Sequence, residues 1–563
     1  MKFDDILEEI GEFGWYQRRV YLLAAAPSIL IAFETLGVIF IFFIPDHRCA
    51  IPGYSGDSFF PQNDSHSLLI NQTIPFTNGK LDRCHVLSNG GPDVLLNVST
   101  NVNASYAFNA SYSQSKCESW VYDHSVFEST IATDFDVVCD RSVLRASSNM
   151  ISEVGTLFGT FFIGLIADRF GRKIPFYLGG LALVGGGFGI AFTQNLITLN
   201  ICRFVLGLAR MALFINGIVI GMEMVGPSKR AWAGILIEFA WCLGEFLLLP
   251  FVYFIRNWRY LEIAVSVPSI VLLAYWWVIP ESPRWLASRG REEEAMKILE
   301  RIAKSNKTVM PNVDDSKDLL DTKDHLSFRH ALKSKELIVR VVIVLSNMFV
   351  IVVVYYGLTL NITNLSGDLF SNFAIGAATE TLAYVVTLVL LDRLGRKLLF
   401  TGSMLLAGAA CTLSILPVVL GAPDWIVVAL GMTGRFAVCI AFATIYVYGA
   451  ELFPTVVRSS AMAVGVTFSR FGSILSPYLA DVGLLVGGRF RDALPLVVMG
   501  SPALVVGLFS LWLPETLHTR LPETIEDLEH SKINRGFLCC KKQEEDGVEM
   551  TVTPEENANE IKS

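Results

Sequence analysis

The stretch Asp168-Arg-Phe-Gly-Arg-Lys173 decides the fold, because it returns almost unchanged as Asp392-Arg-Leu-Gly-Arg-Lys397. Two more pairs recur in the same order. Glu223 with Arg230 returns as Glu451 with Arg458, and Pro280-Glu-Ser returns as Pro514-Glu-Thr. Three ordered pairs at a shift of 224–234 residues mark a duplicated half. Inside each motif, glycine permits a tight turn and the basic residues hold the loop in the headgroup region. The aspartate ends a helix where it can pair with arginine across the interface between halves. Asp168, Arg169, Gly171, Arg172, Asp392, Arg393, Gly395, Arg396, Glu223, Arg230, Glu451 and Arg458 then form a gate that breaks and reforms as the halves rock. The plainer alternative is that they only set topology.

Outside these motifs the chain is mostly apolar. Of its 563 residues 52% are hydrophobic and 17% charged, against about 25% charged in soluble proteins. The apolar residues come in blocks of about 20, enough to cross a hydrocarbon core about 30 Å thick. Twelve such blocks are predicted. The first half holds Tyr21–Ile44, Ser147–Ala167, Ile174–Thr193, Leu196–Val225, Ala231–Ile255 and Leu261–Ile279. The second holds Leu337–Leu360, Phe370–Leu391, Leu398–Leu420, Trp425–Gly449, Ser459–Val486 and Ala493–Leu513. The fold class is therefore an all-α integral membrane protein of twelve transmembrane helices in two six-helix halves. Its parts run as a segment 1–19, a half 20–279, a central loop 280–336, a half 337–513 and a tail 514–563.

Charge orients the chain. The short connections holding both motifs, Lys229–Arg230 and Arg458 share one side and are basic, which makes that side cytoplasmic and puts both termini there. The acidic start, Met-Lys-Phe-Asp-Asp, is no secretory signal, so the first span is expected to stay as an anchor. The central loop carries charged, helix-patterned sequence and is expected to form short surface helices. The loop 45–145 faces outward. It carries Asn-x-Ser/Thr sites at Asn63, Asn71, Asn97, Asn103 and Asn109, so the loop is expected to be glycosylated. It also carries Cys49, Cys84, Cys117 and Cys139, an even set that predicts two disulfides with three connectivities open.

The duplicated motif resembles the major facilitator superfamily. Nearly the whole chain resembles the organic cation, anion and carnitine transporters within it, through Pro45-Asp-His-Arg-Cys49, Phe135-Asp-Val-Val-Cys139, Ile279-Pro-Glu-Ser-Pro-Arg-Trp-Leu286 and Ala450-Glu-Leu-Phe-Pro-Thr-Val-Val-Arg458. The resemblance implies the major facilitator fold, a plasma-membrane location and a central substrate cavity. One departure stands out: the family often has a proline two residues after its acid in span eight, whereas Glu380 is followed by Thr-Leu-Ala-Tyr.

Ionisable residues inside spans are costly and mark function. Arg470, in span eleven, would bind a carboxylate bidentately. In the resembling family this position is acidic in cation carriers and arginine in anion and carnitine carriers. Glu380, in span eight, would attract a cation; the alternative is that it partners Arg470 or Arg435. Tyr355, Tyr356, Tyr446, Tyr448 and Phe214 offer aromatic faces to a quaternary ammonium. The expected function is a secondary active or facilitative carrier of small organic ions, cations or carnitine-like zwitterions, working by alternating access. The rivals are an organic anion exchanger and a non-transporting receptor on the same fold. No enzyme activity, metal site, nucleic-acid partner or cofactor is expected; a co-transported sodium ion or proton stays open, with the lipid bilayer as the surrounding partner.

Overall fold

The structure is a computed structural model that describes residues 3–77, 80–87, 114–226, 229–311, 334–454, 457–486, 488, 490–517 and 519. The sites at Asn97, Asn103 and Asn109, and the tail beyond residue 519, lie outside these residues. Eleven helices among them are long and apolar enough to cross a membrane. These are spans one to six (Trp15–Ile41, Cys139–Phe170, Lys173–Ala191, Leu196–Glu223, Ala233–Phe254, Trp258–Val278), seven to ten (Lys335–Asn364, Leu369–Leu394, Arg396–Leu420, Trp425–Leu452) and twelve (Leu494–Trp512). Span eleven, Arg458–Val486, has 29 residues but mixes Ser469, Arg470, Ser473, Ser476 and Pro477 into its apolar run. It packs against spans seven and two, which shield these polar groups from lipid.

The packing repeats as the sequence does. Span two packs on four, three on four, one on five and three on six; in the second half eight packs on ten, nine on ten, seven on eleven and nine on twelve. The halves meet at two equivalent contacts, span two on eleven and span five on eight. Small residues allow the close approaches. A Cβ at Gly155 or Gly207 would collide with the backbone of the opposing span, at Phe204 and Ser152 respectively. Around the outside, Phe161, Leu165, Ile197, Ile201 and Leu420 stand exposed, an apolar belt that suits lipid rather than water. Exposed Trp15, Trp277, Trp425 and Trp512 sit near span ends, where tryptophan favours the membrane interface.

Most boundaries move by one to four residues, and two move further. Span one begins six residues before Tyr21, at Trp15. Span two begins at Cys139 rather than Ser147, so the loop ends earlier than 145. Its first turns carry Arg141, Arg145, Ser147 and Ser148, polar residues that hydropathy discounts. Arg145 is nevertheless buried, with Asp481 of span eleven as its partner.

The loop after span one folds into a small domain of three two-stranded antiparallel sheets and the helix Asp64–Thr73. His47–Cys49 pairs with Trp120–Tyr122, and His85–Leu87 with Gln114–Lys116. Of the three connectivities, the one formed is Cys49–Cys117 with Cys84–Cys139. Asn63 and Asn71 are exposed, and the Asn63 side chain caps the helix by accepting the His66 N–H at 2.7 Å. Beneath it, Asp57 receives Arg48, His66 and the Ile51 N–H. Burial pushes the Asp57 carboxyl up, but these partners outweigh burial and hold it below the usual aspartate value.

On the opposite face, hereafter the motif face, Pro283–Ser288 and Glu292–Asn306 form the short helices expected of the central loop. Residues 312–333 lie outside the described residues. Asn306 donates to Ile10 O at 3.0 Å and Gln17 Oε1 at 2.8 Å. Its side chain thus clasps the N-terminal segment.

Candidate functional site

Each motif turns on a glycine in the left-handed region, Gly171 at φ +99° and Gly395 at φ +88°. Absence of a Cβ serves twice there, because a Cβ on Gly171 would strike Glu281 and one on Gly395 would strike Glu515. Those carboxylates cap the next helix. Glu281 accepts the N–H groups of Arg172 at 2.9 Å and Lys173 at 3.2 Å; Glu515 accepts those of Arg396 at 2.9 Å and Lys397 at 3.1 Å. An anion at a helix start meets unpaired donors and the positive dipole end. Sequence reading registered Pro280-Glu-Ser and Pro514-Glu-Thr as repeats and missed this role.

The expected pairing of the motif aspartates across halves is not what forms. Asp168 pairs with Arg172 at 2.9 Å and Asp392 with Arg396 at 3.1 Å, each four residues on and in its own half, with aspartate side chains 71% and 68% exposed. One helical turn supplies a nearer cation than the other half does. Arg172 also lies 3.6 Å from Glu223, and Arg396 lies 3.2 Å from Glu451. Arg169 and Arg393 are exposed. Arg458 donates to Phe453 O at 3.4 Å, and the Arg230 side chain lies outside the described residues.

Midway through the protein, Glu34, Glu153, Glu262, Arg203, Arg210, Tyr355 and Tyr356 line one cavity of about 40 Å³. That holds a few waters and no organic ion of several heavy atoms, so substrate needs the halves to part. Arg210 organises the first-half wall, donating to Thr35 and Ser152 at 2.9 Å and to Glu153 at 3.2 Å. Arg203 donates to Asn149 at 2.8 Å and stacks over Phe42 at 4.9 Å. Glu34 accepts from Ser266 at 3.2 Å and lies beside Glu262. Glu262 was missed in the sequence because the expected span six begins at Leu261, which puts this acid at its very end, whereas the helix begins at Trp258 and carries Glu262 inside, buried.

The second-half wall places the expected residues unequally. Glu380 is fully buried and accepts from Tyr355 at 2.8 Å, Tyr384 at 3.1 Å and Arg435 at 2.8 Å. Its arginine is therefore Arg435. In place of the proline, the helix continues unbroken and Tyr384, one turn on, serves the carboxylate. Arg470 is buried beside Tyr356, and the described residues show no ion pair for it. Tyr446 packs edge-on against Phe442 with Arg470 nearby. Tyr448 lies away from the cavity, its hydroxyl donating to Pro514 O at 2.5 Å; it braces the span-twelve end. Phe214 packs against the first-half core and is not among the lining residues.

The sequence pattern of the "Sugar (and other) transporter" family matches residues 95–525. The "Organic cation transporter protein" of Drosophila melanogaster is 34% identical over 553 residues, covering 94% of this chain and 95% of that protein. The human "Organic cation/carnitine transporter 2" is 33% identical, covering 93% and 94%. The chain belongs to the organic cation, anion and carnitine transporter family of the major facilitator superfamily. The fold of this membrane transporter is also that of the xylose transporter XylE from E. coli in its partially occluded inward-open form. The TM-score is 0.58 at 16% identity, covering 90% of this chain and all of that one.

Proposed function

We propose that this transporter carries small organic cations, or zwitterions bearing an ammonium group, by alternating access across the plasma membrane. The observation that carries the reading is the charge of the central cavity. Its lining acids, Glu34, Glu153 and Glu262, outnumber its lining arginines, Arg203 and Arg210, and Glu380 stands directly behind Tyr355. Tyr355 and Tyr356 add aromatic faces, each worth roughly 0.5–2 kcal/mol to a desolvated cation. Arg470 is the group for a substrate carboxylate, held beside Tyr356 with its Nε unpartnered. The names of the relatives, organic cation and organic cation/carnitine transporters, agree with this chemistry.

The motif face is the cytoplasmic one in this reading, with both termini on it and basic short loops around it. The disulfide-bonded domain then lies outside, with exposed Asn63 and Asn71 open to glycosylation. Labelled uptake of a quaternary amine, a carnitine-like zwitterion and an aromatic carboxylate, with and without sodium, tests the substrate class. Glu380→Gln abolishes cation uptake and Arg470→Asp abolishes uptake of the zwitterion. Cation uptake unchanged in Glu380→Gln, with carboxylate uptake lost in Arg470→Asp, makes the protein an anion carrier instead.

A further inference from the structure

At the face that carries the disulfide-bonded domain, the short turn between spans five and six holds Arg256, a half-buried cation. Its guanidinium carbon lies over three rings, 4.7 Å from the centre of Phe370, 5.1 Å from Tyr253 and 5.8 Å from Phe127. The rings come from three parts of the protein. Tyr253 lies in the last turn of span five, Phe370 is the second residue of span eight in the other half, and Phe127 belongs to the loop domain. Arg256 Nη1 also donates to Val126 O at 3.0 Å, and the described residues show no ion pair for it. Ring faces and one carbonyl therefore hold this charge, and a planar, weakly hydrated guanidinium suits them. A cation over a single ring occurs roughly once per 70–80 residues and decides nothing. Three rings around one guanidinium, each from a different part, make a cage.

The backbone fixes each wall of the cage. Residues 126–129 run beside the turn, the Glu128 N–H donating to Arg256 O at 3.0 Å and the Trp258 N–H to Ser129 O at 3.2 Å. This stretch of the domain thus stays with the first half. Asp368 caps span eight by accepting the Ser371 N–H at 2.8 Å, which ties Phe370 to its helix and so to the second half. Phe40 of span one stacks on Phe370 at 6.1 Å, and Phe43 meets Phe127 at 5.4 Å. Val38, Ile39 and Ile41, which flank Phe40 in the chain, line the central cavity. The cage therefore stands at the end of the cavity that points toward the domain.

We infer that Arg256 is a latch that shuts this face where span five meets span eight, by seating its guanidinium in a cage that both halves and the loop domain build together. On the other side, where span two meets span eleven, Arg145 and Asp481 hold the same face by an ion pair. When the halves part here, Phe370 leaves with span eight while Tyr253 and Phe127 stay with Arg256. The cation then loses the nearest of its three rings, and that loss opposes opening. The disulfide-bonded domain gains a task by this, since Phe127 and the Val126 carbonyl are its share of the latch. The inference rests on alternating access and is independent of which substrate is carried.

The test uses the full-length protein in intact cells, with Thr359→Cys in the cavity wall as reporter and a membrane-impermeant thiol reagent in the medium. Labelling is measured against the same protein without the added cysteine, and no substrate is needed. Arg256→Gln removes the charge and keeps an amide donor; it raises the labelling rate about fivefold, a shift within reach of one or two cation–π contacts. Phe127→Leu raises the rate as well. Phenylalanines bearing one, two and three ring fluorines at position 370 keep the shape and weaken the ring face, so labelling climbs with each fluorine while packing stays constant. An unchanged rate in Arg256→Gln, or in the trifluorinated protein, overturns the latch, and an unchanged rate in Phe127→Leu overturns the domain's share in it. Arg145→Met is the reference. If it exposes the cysteine and Arg256→Gln does not, the latch is wrong while alternating access stands; if neither does, alternating access fails and the latch with it.

Discussion

Arg145 and Asp481 join the two halves at the face that carries the disulfide-bonded domain, the Arg145 Nε donating to Asp481 Oδ2 at 3.0 Å. One residue opens span two and the other lies in span eleven, with side chains only 7% and 13% exposed. Ser147 and Tyr478 meet beside them at 3.2 Å. Nearby, Phe40 of span one stacks on Phe370 of span eight at 6.1 Å. This face is therefore closed in the present conformer. Breaking one partner of a largely buried pair costs about 3–5 kcal/mol. Arg145→Met is expected to shift the population toward the form open at this face. The check is labelling by a membrane-impermeant thiol reagent of a cysteine placed at Ser152, which should rise at least tenfold.

The two capping glutamates carry equal expectations. Glu281→Gln and Glu515→Gln each exchange a charged acceptor for a neutral one at a helix start, losing about 1–2 kcal/mol. Melting midpoints of the purified protein should fall by similar amounts in both variants. Gly171→Ala and Gly395→Ala should fall further, since each adds a left-handed φ to a collision with the glutamate.

Tyr384→Phe removes one hydroxyl from Glu380 and leaves the ring. Loss of a hydrogen bond to a charged group is worth about 1.5–3 kcal/mol. The affinity for a quaternary amine, read as KM in uptake, is expected to change by tenfold or more, whereas Tyr448→Phe, whose partner is the backbone of Pro514, should leave KM alone.

The disulfides close loops of 68 and 55 residues, which corresponds to about 4 kcal/mol apiece in the chain-entropy treatment. Cys84→Ser with Cys139→Ser should free the small domain from span two. Limited proteolysis of intact vesicles would show it as faster cleavage within 45–138 while the spans stay protected.

Acid should loosen the same domain through Asp57. Its folded-state carboxyl titrates below the usual aspartate value, so the stability it confers is complete above that value. It is lost as pH falls through the lower, folded one. Asp57→Asn should lower stability at neutral pH and flatten that acid limb, as followed by the same proteolysis between pH 5 and pH 3.

Much of the architecture was legible in the chain because bilayer thickness and duplication leave strong marks. The apolar blocks, the repeated motif and the paired cysteines each report a constraint that acts locally. The site was legible only in part. Glu380 and Arg470 announced themselves as charges in mid-span, but the sequence left the partner of Glu380 open between Arg470 and Arg435 and did not join Glu245 to them. Arg435 reaches Glu380 from 55 residues away and Glu245 from 190, separations at which sequence spacing carries no geometry. The helix caps were hidden for the same reason, Glu281 lying 109 residues from Arg172. Tyr448 and Tyr446 are two residues apart on one helix, hence on different faces, and only three-dimensional packing says which faces the site.

Because Glu281 and Glu515 each close on a motif from their own half, neither half borrows its counterpart to shape its end of the bundle. Two separate polypeptides, one ending after residue 311 and one starting before residue 334, would each carry a complete latch. Co-expressed, they should find each other through the span contacts two-on-eleven and five-on-eight and reconstitute uptake, as a split protein does.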